Sequence, residues 1–125
     1  MLILAPALSG GAIAAEAASD AARALRELAI ADGVQLSRAS YCGYSREDLD
    51  RLLTRLHERT IARAQATGAS VDDKAYKDGM YVGMQQAMDE VLRLPPQDIA
   101  DEHVYRAKHC GKTRAQIDAL LAPVP

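Results

Sequence analysis

The chain has 125 residues, 49% of them apolar and 26% charged, with a formal net charge of −2, no Phe, no Trp and two Cys. That is one domain's worth of chain; its apolar share excludes wholesale disorder, and its near-neutral balance (pI about 5.9) argues against a basic nucleic-acid coat or an acidic tail. With 24 Ala and 14 Leu against six Val and six Ile, helix formers dominate, and the expected fold is all-α, a compact bundle of about four to five helices.

Residues 1–14 carry no charge, run apolar through Leu2, Ile3, Leu4, Ala5, Ala7 and Leu8, and end in Ala12-Ile13-Ala14, an A-x-A step. This reads as the remnant of a secretory signal peptide, although the basic n-region is missing and the first cation is Arg23. A start assigned too far downstream would explain the loss. The stretch is too short to span a bilayer. On this reading residues 15–125 form a single exported helical domain, periplasmic or secreted; the alternative is a cytoplasmic chain with a frayed N-terminus. In an oxidising space Cys42 and Cys110 are most simply one disulfide, worth about 4 kcal/mol on the chain-entropy model. In the cytosol they would be two ordinary thiols.

A first helix is expected from about Ala17 to Cys42, with Leu25, Ala29, Leu36 and Ala39 near one face and a break or kink at Asp32-Gly33. Gly43 follows at the C′ position. The second helix opens with Ser45 as N-cap, Asp48 at N3 and Tyr44 placed to staple onto Leu49. Its apolar face is Leu49, Leu52, Leu53, Leu56 and Thr60, and it ends before Thr67-Gly68. A third helix is expected from near Ser70 to Leu94, stopped by Pro95-Pro96, with Asp72 and Asp73 in its first turn. A fourth would span about Asp98 to Cys110, ending at Gly111. A short fifth, capped by Thr113, would carry Ile117, Leu120 and Leu121.

Laid over one another at the cysteines, CGYSREDLDRLL (42–53) and CGKTRAQIDALL (110–121) share Cys, Gly, Arg, Asp and both Leu. Each copy has the order helix, turn glycine, spacer, hydroxyl N-cap, helix. Two readings stay open. Either two helix corners use the same turn chemistry independently, or a helix-corner-helix unit is duplicated and packs around the third helix, bringing the cysteines within disulfide reach.

The third helix has two adjacent rows at spacing four: Ala75, Gly79, Gly83 and Ala87, and beside it Tyr76, Met80, Met84 and Met88. Two glycines inside a helix cost about 1 kcal/mol each against Ala, which close approach of another helix backbone would offset. The rows are either the packing face of a core helix or, in part, an adaptable Met surface for a partner or a second copy. On the second helix Arg51, Arg55, Arg59 and Arg63 form a basic stripe that could meet an acidic partner, phosphate or lipid headgroups. Glu47, Asp48, Asp50 and Glu58 interleave it, which favours a solvated, ion-paired face.

His57, His103, His109, Cys42 and Cys110 make no recognised metal spacing, so neither a metal nor a cofactor is expected. There is no G-x-S-x-G, Gly-rich phosphate loop, H-E-x-x-H or Cys/His signature, and the chain is read as a non-enzyme with no evident small-molecule substrate. The expected partner is a protein, or a second copy of the chain.

Two resemblances bear on this. Ala39, Gly43 and Leu49, repeated as Ala107, Gly111 and Ile117, resemble the small-residue, turn-glycine and aliphatic positions of DNA-binding helix-turn-helix proteins, which would imply a cytosolic regulator. The acidic pI and the carboxylates Glu47, Asp48 and Asp50 oppose phosphate contact, so nucleic acid is not the favoured partner. Tyr41-Cys42-Gly43, Tyr76 with Gly79 and Gly83, and a second cysteine, Cys110, resemble small exported helical proteins of proteobacteria. That resemblance implies a periplasmic all-α domain with one disulfide. At the level of architecture alone the chain is also similar to periplasmic acid-stress chaperones and to toxin-immunity proteins.

Overall fold

The computed structural model describes residues 4–68, 70–92 and 102–123, with side chains described over 20–68, 70–90 and 110–123. All the regular structure in these residues is helical: α1 Leu4–Tyr41, α2 Arg46–Ala66, α3 Asp73–Leu92 and α4 Glu102–Leu121. The chain is an all-α bundle, and no described helix is long and apolar enough to cross a membrane.

The α1–α2 corner forms as its residues dictate. Gly43 sits at φ 89°, the left-handed conformation that glycine adopts without a Cβ penalty. The Tyr44 N–H donates to the Ala39 carbonyl (3.2 Å) and the Gly43 N–H to that of Ser40 (3.1 Å), which closes the last turn of α1 in the Schellman pattern. Ser45 then caps α2, its hydroxyl accepting from the Asp48 N–H at 3.1 Å. Tyr44 and Leu49 each pack against the core cluster beyond the corner. At the start of α3 the cap is Asp72, whose carboxylate accepts from the Lys74 N–H at 3.0 Å.

The second expected corner is not one. α4 runs unbroken from Glu102 to Leu121, through Gly111 and Thr113, so Gly111 is no turn glycine and Thr113 no N-cap. The physical difference lies one residue on. Tyr44 supplies the apolar group that a Schellman turn packs against the helix it ends, whereas the corresponding Lys112 is exposed and supplies none. Helix propagation wins there despite the glycine. The expected fourth and fifth helices are therefore one over the described residues, and the cysteine-glycine repeat does not make two equivalent corners. The expected start of the fourth at Asp98 and the end of the third at Leu94 lie outside the described residues.

α1 also runs through Asp32-Gly33 without a break, and its helical backbone extends N-terminally of the expected Ala17. Gly33 serves close packing instead: a Cβ on it would lie 2.0 Å from the Met80 carbonyl oxygen of α3. The central element is α1, not the third helix. α3 lies against α1, α2 against α1 and α4, and α4 against α2 and α1.

Two apolar clusters result. Ala39, Leu52, Leu56, Ile117 and Leu121 join α1, α2 and α4; Leu25, Ala29, Tyr76 and Met80 join α1 and α3; Leu36 packs against both. Along α1 the core-facing stripe is Leu25, Ala29, Asp32, the half-buried Leu36 and Ala39, at alternating steps of four and three, so a carboxylate occupies one place in an otherwise apolar series.

Candidate functional site

The α3 rows divide by helix geometry. At 3.6 residues per turn, each step of four overshoots a full turn by about 40°, so a spacing-four row winds around the helix. Tyr76, Gly79, Met80, Gly83 and Ala87 fall within one buried arc of about 100°, whereas Ala75 precedes it and is exposed. Met84 and Met88 lie past its other edge, 37% and 53% exposed. The glycines are spent on α1: a Cβ on Gly83 would meet the Ile30 carbonyl oxygen at 2.0 Å, and one on Gly79 the Ala29 Cβ at 2.6 Å. The glycine ridge is thus internal packing, and only the two outer methionines of the neighbouring row reach solvent.

Met84 and Met88 flank an open groove of about 820 Å³ to which all four helices contribute. Leu36 and Tyr41 of α1, Leu49 and Leu53 of α2, Ala87 of α3 and the Cys42–Cys110 pair supply most of its apolar wall, and Leu53 is itself 37% exposed. Its charges are balanced. Arg38 and Glu90 pair across it at 3.1 Å, and Lys112 and Asp50 stand at other points of the lining.

One wall is fixed covalently. The Cys42 and Cys110 sulfurs stand 2.15 Å apart with Cα atoms 5.7 Å apart, the spacing of a disulfide, and both residues are buried. Beside them the Arg114 guanidinium donates to the Cys42 carbonyl, an end-of-helix acceptor, and lies 5.4 Å from the Tyr44 ring centroid. The Tyr44 hydroxyl donates to Asp118 Oδ1 at 2.6 Å. Loss of solvation, reinforced by the hydrogen bond to the Asp118 carboxylate and by its charge, pushes the Tyr44 phenol up to about 12. α4 is therefore held at the α1–α2 corner by a covalent link, a cation against a ring, the Arg114–Cys42 hydrogen bond and those of the Tyr44 hydroxyl to Asp118 and to the Arg114 carbonyl.

The basic stripe is not a single free surface. Arg51 is 3.5 Å from Asp48 and donates to the Leu121 carbonyl at 3.1 Å, fastening α2 to the end of α4. Arg59 turns inward, its Nη2 3.9 Å from Asp32 Oδ1. Arg55 is half-buried and Arg63 exposed.

Asp32 was not legible as a site residue from the sequence. It is 2% exposed, and both the Thr60 hydroxyl of α2 and the Tyr76 hydroxyl of α3 donate to its Oδ2, the latter at 2.9 Å. The His57 ring lies 4.7 Å from that of Tyr76, tilted by 43°. The available signal was positional: Asp32 stands three residues after Ala29 and four before Leu36, on the apolar stripe itself.

Among the described residues no group of three or more His, Cys, Asp or Glu is placed to hold a metal ion. The side chains of His103 and His109 lie outside the described set. Compared with known proteins, the chain matches no family model, no curated protein and no solved structure.

Proposed function

We propose that this is an exported helical protein that acts by binding, taking the apolar side of an amphipathic segment of a partner protein into the four-helix groove. The observation that carries the reading is the exposure of Leu53, Met84 and Met88 around an apolar groove while the rest of the Met row is buried. Unbranched, polarisable methionine side chains adapt to differently shaped apolar groups, and grooves of this kind take helices by their apolar face. The lining charges favour a peptide over a polyanion: Arg38 and Lys112 are matched in number by Glu90 and Asp50, leaving no net positive field for phosphates or anionic headgroups. Export is supported by the cysteine pair at bonding distance, since such bonds persist in oxidising compartments, and by the signal-like residues 1–14.

The test uses a fluorescent model amphipathic helix of Leu, Lys and Glu as probe. Saturable binding to the oxidised protein, weakened at least ten-fold in the M84Q/M88Q variant, is the expected result; both side chains are exposed, so the variant should keep its fold. No binding, or equal binding by the variant, overturns the groove reading. Concentration-dependent dimerisation that M84Q/M88Q abolishes would make a second copy the occupant and overturn it equally. Mass spectrometry of the protein recovered from the periplasm tests export separately: a chain starting near residue 15 with no free thiol is expected, and an intact N-terminus with two thiols overturns it.

A further inference from the structure

A second opening, a cleft of about 580 Å³, lies between α1 and α4 and has Arg59 of α2 in its lining. Gln35 and Arg38 line it three residues apart on α1, and Thr113 and Gln116 three apart on α4, so each pair brings two polar side chains to one helix face. Val34 and Leu120 add apolar wall, and no described carboxylate lines it. The hydrogen-bond donors around it are largely unspent. Among the described residues the side chains of Gln35, Thr113 and Gln116 have no hydrogen-bond partner. Arg59 donates no hydrogen bond either: its Nε is buried without a partner, and its Nη2 stands 3.9 Å from Asp32 Oδ1, outside hydrogen-bond range. Arg38 donates to Glu90 through Nη2 alone, at 3.1 and 3.4 Å, which leaves the rest of its fork over.

We propose that this cleft binds a small aliphatic monocarboxylate, its carboxylate taken by the Arg38 and Arg59 guanidiniums with the Gln116 amide, its hydrocarbon laid against Val34 and Leu120. A planar guanidinium fork matches a carboxylate, and a hydrogen bond between ionised groups is stronger than a neutral one. The charges decide between kinds of anion. Each arginine has a carboxylate of the chain beside it, Asp32 for Arg59 and Glu90 for Arg38, and neither of these lines the cleft. The cleft therefore offers more donors than net positive charge, which suits a single negative charge and disfavours the double charge of a phosphate. The apolar wall gives the remainder of the ligand a place that a bare inorganic ion cannot use, and the volume is that of a small-ligand site. Of the basic stripe on α2, Arg59 is the member that turns into the bundle and so serves this cleft. The inference does not rest on the groove reading, although Arg38, Thr113 and Gln116 line the groove as well.

The experiment titrates the oxidised, isotope-labelled protein with hexanoate and follows its NMR spectrum, with hexanamide and inorganic phosphate as parallel probes. The expected result is saturable movement of the Arg59 Nε–H resonance and of the Gln35 and Ala119 amides with hexanoate, and binding about ten-fold or more weaker for hexanamide and for phosphate. Two variants locate the site. R59Q removes one fork; Q116E, nearly isosteric and at an exposed position, sets a negative charge in the cleft. Each should weaken hexanoate about ten-fold or more. R59Q also leaves the buried Asp32 without its arginine, so should that variant fail to fold, Q116E and the hexanamide comparison carry the test. Four results overturn the proposal: no saturation, equal binding of hexanamide, phosphate binding as tight as hexanoate, or hexanoate binding that Q116E leaves unchanged. Shifts confined to Leu53, Met84 and Met88 overturn it as well, because they would place the probe in the groove.

Discussion

Gly83 of α3 rests on the Ile30 carbonyl of α1, so closely that a Cβ at position 83 would lie 2.0 Å from the oxygen. The neighbour is backbone and cannot swing aside as a flexible side chain would. G83A should therefore push the two helices apart and lower stability by about 1–3 kcal/mol, even though alanine is the better helix former. Urea unfolding checks this; an unchanged or raised midpoint would show that the helices do not approach so closely.

The two cysteine-linked glycines should respond in opposite directions to the same change. Gly43 is at φ 89°, where a Cβ costs about 1 kcal/mol or more, so G43A should destabilise. Gly111 is helical, and a Cβ on it would have nothing within 4 Å, so G111A should stabilise by about 0.5–1 kcal/mol. Thermal midpoints of the two variants settle the matter; equal destabilisation would restore the two-corner reading.

These two predictions mark where the sequence could be read and where it could not. The α1–α2 corner was legible because its signals are local: Gly43, Tyr44, Ser45, Asp48 and Leu49 act on one another within seven residues. Gly111 looked the same because turn glycine permits a corner without enforcing one, and the absent apolar partner at Lys112 decided the outcome. Asp32-Gly33 suggests a break or kink in α1 for a similar reason. Its actual roles, a close approach to Met80 and a polar place in the buried stripe, depend on α2 and α3 arriving from elsewhere in the chain. The Met row was visible from spacing; which of its members would face water followed only once the glycines had fixed α3 on α1.

Opening the Cys42–Cys110 link should cost about 4 kcal/mol on the loop-entropy model, given a separation of 68 residues. α4 should loosen first, because among the described residues its remaining holds are the Ile117, Leu120 and Leu121 contacts and a few polar ones, among them Arg114 to Cys42 and Tyr44 to Asp118. Hydrogen exchange on C42S/C110S should show amides of α4 losing protection before those of the α1–α3 contact. Uniform loss along the chain would contradict it.

At alkaline pH the Tyr44 phenol makes its own mark. Held at about 12 in the fold against 10.0 ordinarily, it adds stability that is complete below pH 10 and is lost as pH rises through the folded-state value. Stability should fall in that window, and Y44F should make the fall shallower while weakening the α4 attachment at neutral pH by about 1 kcal/mol. Denaturant titrations at pH 8, 10 and 11 test both parts, and parallel pH dependences would refute the first.

Leu36 is shared by the α1–α2–α4 cluster and the α1–α3 cluster, and it also lines the groove. Neither cluster can lose its packing without disturbing a side chain the other depends on, so the bundle should melt as one cooperative unit rather than in halves. Calorimetric and van't Hoff enthalpies should then coincide in the oxidised protein. A ligand seated against Leu36 would raise the single melting temperature of the whole domain, so occupancy can be read from any helix, however far from the groove.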